Sequence, residues 1–179
     1  ADPKNLLSHR YAIGHLPDAD TGSWLVVDKP WFPLGMSPCG SSPMMSAGDL
    51  IRFARAHMEA GRNAEGDIWL SPATLAMMTA PQVDRPANST GPYSQTGLGW
   101  HLKTYTATGK TSIGHGGATR GFYTTLQLLP SEDIAFAILI NGDNPTAVGS
   151  IQQTLLASLA GIDAKEADID YSKQQPDNL

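Results

Sequence analysis

A histidine among glycines is the feature of this sequence that most suggests chemistry. The segment Gly114–Phe122 reads Gly-His-Gly-Gly-Ala-Thr-Arg-Gly-Phe, and His115 is its titratable group. An imidazole can accept or donate a proton near neutral pH. Glycines let a substrate approach the backbone closely, which leaves amide N–H groups such as that of Ala118 able to donate to a developing oxyanion. Taken alone, the segment also fits a glycine-rich bend with a surface histidine.

Arg120 is the second candidate in this segment. Its guanidinium is suited to binding a substrate carboxylate, and a surface salt bridge is the alternative interpretation. The polar run Ser131-Glu132-Asp133 follows the apolar end of the segment 122–129. We interpret it as a turn rather than as a source of catalytic acid or base groups.

The motifs of several common sites are incomplete or absent. Gly109-Lys110-Thr111 resembles the end of a Walker A phosphate loop, but Thr104 stands where the earlier glycine is required. A dinucleotide-binding Gly-x-Gly-x-x-Gly pattern fails because Thr119 occupies its last position. The five histidines lack the i, i+4 spacing of helical zinc sites, and no Gly-x-Ser-x-Gly elbow occurs. We therefore expect neither a metal nor a cofactor.

Composition limits the classes of protein to which the chain can belong. Its 179 residues are enough for one domain with a substantial core. Lys and Arg number 12 and Asp and Glu number 17, which gives a net charge of −5 and no basic excess for nucleic acid or an anionic membrane surface. Cys39 is the only cysteine, so neither an internal disulfide nor a cysteine-based metal cluster can form. The longest apolar run, Ile134–Ile140, is too short to span a membrane.

Capping residues and helical periodicity predict three helices. The first begins after Ser46 and stops at Gly61, the second begins at Ser71-Pro72 and ends before Pro81, and the third begins at Asn144-Pro145 and ends at Gly161. Their expected apolar positions are Leu50, Ala54 and Met58 in the first helix, and Val148, Ile151, Leu155, Leu156 and Leu159 in the third.

Alternating apolar residues predict strands at about 98–106, 111–116, 122–129 and 134–140, with a hairpin loop at Pro130–Asp133. The last strand is apolar on both faces and is expected to be a central strand covered by helices on both sides. Residues 1–45 contain six prolines and are expected to form irregular structure that wraps something else. The tail, 163–179, lacks an apolar period and is expected to be frayed.

The order of these motifs resembles one family. The sequence contains, in order, Pro43-Met44-Met45-Ser46-Ala47-Gly48-Asp49-Leu50-Ile51-Arg52-Phe53-Ala54, Leu70-Ser71-Pro72-Ala73-Thr74-Leu75, Gly97-Leu98-Gly99-Trp100, Gly114-His115-Gly116-Gly117 with Gly121-Phe122, Leu129-Pro130 and Leu139-Ile140-Asn141. Over about residues 8 to 162 this order resembles the serine β-lactamase, penicillin-binding protein and related esterase superfamily. The resemblance is to its class C and D-alanyl-D-alanine carboxypeptidase-like branch.

The resemblance implies the C-terminal portion of a β-lactamase-like (transpeptidase) α/β fold. In this portion an antiparallel sheet carries a C-terminal helix on one face, and other helices form a separate layer. Residues 1–96 would then belong to the helical subdomain with its proline-rich wrapping segment, 97–162 would form the sheet and C-terminal helix, and 163–179 would be the tail. The N-terminal catalytic part of the family would be absent.

The resemblance also implies roles for individual residues. In the family, a serine in Ser-x-x-Lys attacks a carbonyl, a Tyr-x-Asn motif helps to move protons, and a third motif lies on a strand beside the site. His115-Gly116-Gly117 matches the third motif, with His115 and Ala118 as catalytic residues and the Ala118 N–H in the oxyanion hole. Gly116, Gly117 and Arg120 would bind substrate. Histidine in place of lysine resembles the peptidase and esterase members more than typical class C β-lactamases.

Neither Ser-x-x-Lys nor Tyr-x-Asn occurs in the 179 residues. We therefore expect a C-terminal part of a serine hydrolase, inactive alone, whose partner is the N-terminal part of the same protein carrying both motifs. The substrate would be a small molecule or peptide with an ester, amide or peptide bond, and the family resemblance implies a periplasmic or secreted location. A non-catalytic binding or regulatory relative is the alternative, and a stand-alone structural domain is a third interpretation.

Overall fold

A computed structural model of the chain describes residues 9–28, 43–86, 93–163 and 165–166. Its strands are β1 (His15–Pro17), β2 (Trp24–Val26), β3 (Val83–Asp84), β4 (Gln95–Thr96), β5 (His101–Thr104), β6 (Thr111–Thr119), β7 (Phe122–Leu129) and β8 (Ile134–Ile140). Strands β3 to β8 form one six-stranded sheet in sequence order, and β1 pairs with β2 in a separate hairpin. Every pair of neighbours is antiparallel, so the predicted antiparallel sheet is confirmed.

Three α-helices begin at the predicted caps: α1 (Ala47–Met58), α2 (Pro72–Thr79) and α3 (Pro145–Ala160). Ser46 and Asp49 form a capping box, in which each side chain accepts from the other residue's backbone N–H. Ser71 and Asn144 cap α2 and α3, each with a proline next in sequence. Gly161 ends α3 with a φ of 64°, which favours glycine. No helix within the described residues is both long and apolar enough to cross a bilayer.

The sheet is covered by helices on both faces. On one face α3 packs on a buried cluster made of Tyr105, Leu129, Phe136, Ile138, Val148, Leu156, Ala160 and Ile162. On the other face α1 packs on a second cluster, made of Ala54, Trp100, Leu102, Ile113, Leu126 and Leu128, with Leu50, Met58 and Met78 at its margin. The apolar stripe predicted for α1 is therefore confirmed, and the helices form layers on either side of the sheet.

The prediction that Ile134–Ile140 forms a central strand is wrong for the described residues. Strand β8 pairs with β7 along its length and is the last strand in the sheet order. Its side chains are apolar on both faces because Phe136 and Ile138 join the cluster under α3 while Ala135 and Ala137 pack in the cluster under α1. Apolar residues on both faces of a strand indicate that helices cover the sheet above and below it. They do not indicate whether the strand has a neighbouring strand on each side.

Two further predictions are corrected. The strand expected at 98–106 is only His101–Thr104, because Gly99 has a φ of 77° and the chain bends before β5. In α3, Ile151 and Leu159 are exposed rather than buried. The helix instead turns Gln152 inward, where its Nε2 donates to Oε1 of Gln127 on β7. A polar pair inside the core has shifted the buried face of the helix.

The β1–β2 hairpin packs where β6 turns into β7 and where β8 ends. The His15 N–H donates to the Gly121 carbonyl at 3.2 Å, and the Asp143 N–H donates to the His15 carbonyl at 3.0 Å. The Asn141 side chain donates to the Ile13 carbonyl at 3.0 Å. The expectation of irregular structure is therefore wrong for this part of the proline-rich segment, which forms a hairpin that packs against one end of the sheet. Residues 1–8 and 29–42 lie outside the described residues.

The predicted tail is attached at its beginning. Glu166 Oε1 accepts hydrogen bonds from Thr106 Oγ1 at 2.5 Å and from the Ala107 N–H at 2.9 Å, which ties it to the turn between β5 and β6. These bonds lower the pKa of the Glu166 carboxyl, chiefly through the hydroxyl of Thr106. The remainder of the tail lies outside the described residues, and the boundary placed between residues 96 and 97 stays a prediction.

Candidate active site

The glycine-rich segment lies on β6 where that strand has a partner on one side only. Strand β6 pairs with β7 as far as Thr119, but it pairs with β5 only as far as Gly114. From His115 onward its other backbone edge faces no strand among the described residues. Residues His115 to Ala118 are exposed. An unpaired edge of this kind presents backbone N–H and C=O groups that can bind an extended ligand.

His115 has one ring nitrogen engaged with the backbone. Its Nδ1 lies 2.7 Å from the carbonyl oxygen of Gly116. A carbonyl can only accept, so Nδ1 carries the hydrogen of this bond. When the ring is neutral, Nε2 therefore has a lone pair and can accept a proton, and when the ring is charged, Nε2 can donate one. The backbone thus fixes which nitrogen of His115 is available for proton transfer.

A second histidine lies flat against His115. The rings of His101 and His115 have centroids 4.9 Å apart and planes inclined by only 15°. His101 begins β5 and pairs with Gly114, the residue before His115. The centroid of the Tyr93 ring lies 5.5 Å from that of His101, at an interplanar angle of 36°. Two neighbouring strands and the segment before β4 thus contribute rings to one cluster.

Burial and the neighbouring Arg85 together keep His101 in the neutral state. The Nη1 atom of Arg85 lies 3.0 Å from Nδ1 and 3.4 Å from Nε2 of the His101 ring. A guanidinium can only donate, so whichever nitrogen accepts must be unprotonated. Burial, followed by the charge of Arg85 and the proximity of His115, lowers the pKa of His101 to about 4. At neutral pH this ring is uncharged.

The structure keeps four predicted site residues together and places the fifth apart. His115, Gly116, Gly117 and Ala118 follow one another along the exposed edge of β6. Arg120 lies in the turn after the strand, with a φ of 31°, and its Nη2 is 3.5 Å from Oδ1 of Asp28. Four residues lie between it and His115, and the five steps from one residue to the next correspond to about 16 Å of extended chain. Its predicted role in binding substrate stays a prediction.

No metal centre is formed by the residues that the structure describes. Nowhere among them do three or more His, Cys, Asp or Glu side chains lie close enough to hold an ion. His101 and His115 are two adjacent ring systems, and the nearest additional group, Arg85, is a cation that would repel a metal. The donor set is suited to hydrogen bonding and proton transfer.

Sequence reasoning missed Arg85 and His101 as members of this cluster. His101 is one of the five histidines that lack metal-binding spacing, and Tyr93 belongs to none of the motifs recognised in the sequence. The turn residues Thr108-Gly109-Lys110 indicate that the strands carrying His101 and His115 are neighbours, but counting outward from them pairs His101 with Gly117, whereas its partner in the structure is Gly114. No comparable local signal connects Arg85 with the cluster.

Two comparisons of the sequence with known proteins indicate the same family. The Beta-lactamase family model matches residues 8–161. "Penicillin-binding protein 4" of Amycolatopsis lactamdurans is 30% identical over 161 residues, which are 89% of this chain and 42% of that protein. The chain spans less than half the length of this relative.

Two solved structures share the fold. The octameric penicillin-binding protein homologue from Pyrococcus abyssi matches with a TM-score of 0.67 at 18% identity, over 90% of this chain and 34% of its own. A crystal structure of SurE matches with a TM-score of 0.55 at 23% identity, over 94% of this chain and 36% of its own. In both cases the chain corresponds to about a third of the larger protein.

Proposed function

Because the chain belongs to the beta-lactamase family, we propose that it supplies the third motif and one wall of the active site of a serine hydrolase. The hydrolase would act through an acyl-enzyme on an ester, amide or peptide bond. The observation that carries this proposal is the exposed edge of β6 at His115–Ala118, which pairs with no strand in the part of the chain that the structure describes. An extended substrate can lie along such an edge and receive hydrogen bonds from it.

Each residue of the motif has a role in this proposal. His115 offers Nε2 to the proton that moves when the nucleophile attacks or the leaving group departs. The Ala118 N–H donates to the oxyanion of the tetrahedral intermediate. Gly116 and Gly117 keep the edge clear of side chains; a Cβ at residue 117 would meet no atom within 4 Å, so this surface is open to a ligand. Arg120 would contact a substrate carboxylate.

The nucleophile must come from outside these 179 residues. They contain neither Ser-x-x-Lys nor Tyr-x-Asn. We assign both motifs to an N-terminal part of the same protein that completes the site, and we place the assembled enzyme in the periplasm or outside the cell. The same absence favours the second candidate, a non-catalytic binding or regulatory relative, should no polypeptide with these motifs accompany the chain.

Active-site labelling separates these two functions. The chain, purified with any polypeptide that accompanies it, is treated with a fluorophosphonate, which phosphonylates activated serines with loss of fluoride, and then analysed by intact mass and peptide sequencing. We expect a single adduct on the serine of a Ser-x-x-Lys motif outside these residues, and no stoichiometric adduct on the chain alone. A one-to-one adduct on a serine of this chain would contradict the proposal, and an accompanying part without either motif would favour the binding relative.

Substitution of His115 tests its role in the labelled enzyme. We expect His115→Ala to slow labelling by about 10²-fold, the usual contribution of a general acid or base. The matched control is His9→Ala, which removes an exposed histidine outside the β6 cluster. Labelling of the His115 variant at the rate of the control would remove His115 from the mechanism.

A further inference from the structure

The stacked pair at the start of β5 suggests a role for His101 that the motif does not assign. We propose that His101 is a positioning residue, whose uncharged ring holds the His115 imidazole in the orientation that engages Nδ1 and presents Nε2 to substrate. The inference rests on the proposed function of His115, but the orientation itself can be measured separately from catalysis.

The geometry of the pair is that of a specific contact. Centroids 4.9 Å apart, with planes inclined by 15°, fall within the range of attractive ring stacking. His115 is exposed, and a surface imidazole held by one hydrogen bond would still sample several rotamers. A flat ring against one of its faces removes much of that freedom. The stack and the Nδ1 bond to Gly116 together restrain the ring both in its plane and perpendicular to it.

His101 is itself held in place, which a positioning group requires. Arg85 contacts its nitrogen edge, and the ring of Tyr93 lies 5.5 Å away. Thr96 Oγ1 lies 3.4 Å from its Nδ1. The β5–β6 pairing of His101 with Gly114 fixes the backbone beneath the stack. The ring therefore has partners on β4, on β6 and on the segments that flank β3 and β4.

The uncharged state of His101 suits this role. Two stacked imidazolium rings would repel each other, so a titrating partner would loosen the stack whenever His115 took up a proton. The guanidinium of Arg85 requires an unprotonated nitrogen on His101, and the pKa of His101 is lowered to about 4. The stack can therefore persist in both protonation states of His115, as a group that transfers protons requires.

Kinetics of the assembled enzyme provide the first test. We expect His101→Ala to lower the limiting rate of labelling by the fluorophosphonate by about 10- to 100-fold, the cost of a misplaced catalytic group, with little change in the reagent concentration that gives half of that rate. His101→Phe retains a flat ring and should restore most of the rate. Equal losses in the two variants, or wild-type rates in both, would overturn the proposal.

Histidine NMR provides the second test and needs no turnover. The chain, with any polypeptide that accompanies it, is labelled at histidine Cε1, and the His115 signal is assigned from its loss in His115→Ala. We expect the His115 proton to be shifted upfield by the ring above it, to move to the position of an exposed histidine in His101→Ala, and to stay upfield in His101→Phe. His9 serves as the internal reference.

The two measurements separate the failure of this inference from failure of the proposed function. A His115 signal that His101→Ala leaves unchanged overturns the positioning role, whether or not the protein acylates. The His115 signal could instead respond as expected in a protein that no serine-directed reagent labels. That result would support the positioning role of His101 and contradict only the proposed hydrolase function.

Discussion

Tyr93 packs so closely against Gly114 that β6 has no room for a side chain at this position. A Cβ atom at residue 114 would overlap the Tyr93 hydroxyl oxygen and lie 2.7 Å from the carbonyl oxygen of Leu126 on β7. The contact holds the segment before β4 against β6 immediately before His115. The first glycine of the motif therefore serves packing, whereas the later glycines lie on the exposed edge.

Gly114→Ala should destabilise the fold through this overlap. We expect a loss of about 1–3 kcal/mol in the free energy of unfolding, the usual cost of overpacking, measured by urea denaturation. Gly117→Ala is the matched control, because its Cβ would meet no atom within 4 Å, and it should change stability by no more than about 0.5 kcal/mol. Equal losses in both variants would contradict the steric explanation.

Stability should fall between about pH 7 and pH 5 because folding lowers the pKa values of two histidines, the partly buried His101 and the buried His57. The pKa of His101 is about 4 in the folded chain against an ordinary value of 6.5, chiefly because of burial. Below pH 6.5 the unfolded chain binds a proton that the folded chain refuses, so the stabilisation present above that pH is lost as the pH falls toward 4. Burial lowers the pKa of His57 as well, and its effect has the same sign.

Thermal denaturation in His101→Phe isolates the contribution of one ring. Because His101 is partly exposed, solvent screening reduces its contribution near pH 5 to the order of 1 kcal/mol, or a few degrees in Tm for a domain of this size. The carboxyl groups whose pKa values are lowered in the fold take up protons at lower pH, so they do not change the stability between pH 7 and pH 5. A Tm that falls as steeply in His101→Phe as in the wild type would refute the assignment.

The buried amide pair on β7 and α3 should show strong coupling. Gln152→Leu leaves Oε1 of Gln127 without the donor that it has in the fold, and we expect a loss of about 1–3 kcal/mol. Replacing both glutamines by leucine removes donor and acceptor together, although it also ends the 3.4 Å contact from Gln127 Nε2 to the Tyr105 hydroxyl. Urea denaturation of the two single variants and the double variant should therefore give non-additive losses. Additive losses would mean that the pair makes no shared contribution.

Arg120 offers a choice between a structural and a binding role. Its pairing with Asp28 is exposed, so Arg120→Ala and Asp28→Asn should each change the free energy of unfolding by less than about 1 kcal/mol. If the guanidinium binds substrate, Arg120→Ala should raise KM by about 10-fold for a substrate with a carboxylate and leave an uncharged analogue unaffected. Asp28→Asn is the control. An equal rise in KM in both variants would assign the effect to the hairpin.

Local sequence signals predicted the ends of the helices well. Ser46, Ser71 and Asn144 cap the three helices as expected, and Gly161 ends the last. Strand β7 also has its predicted bounds, Phe122–Leu129. Caps, prolines and left-handed glycines act over a few residues, so their effects can be predicted without knowledge of the fold.

Long-range relationships were predicted less well. The apolar run Ile134–Ile140 correctly indicated helices on both faces, but it gave no sign that the strand lies at the edge of the described sheet. The burial of Gln152 and the exposure of Ile151 also depend on Gln127, which lies 25 residues earlier. Hydrophobicity alone would bury Ile151 and expose Gln152 on α3.

The sequence by itself determined the family resemblance, through the order of its motifs, and the helix boundaries, which depend on neighbouring residues. Only the tertiary structure decided that His101 stacks on His115 and that burial and Arg85 keep it neutral. These groups come from separate strands and from the segment after β3, and strand pairing brings them together. Ring stacking and charge act through space over a few ångströms, so their effects follow from packing and not from spacing along the chain.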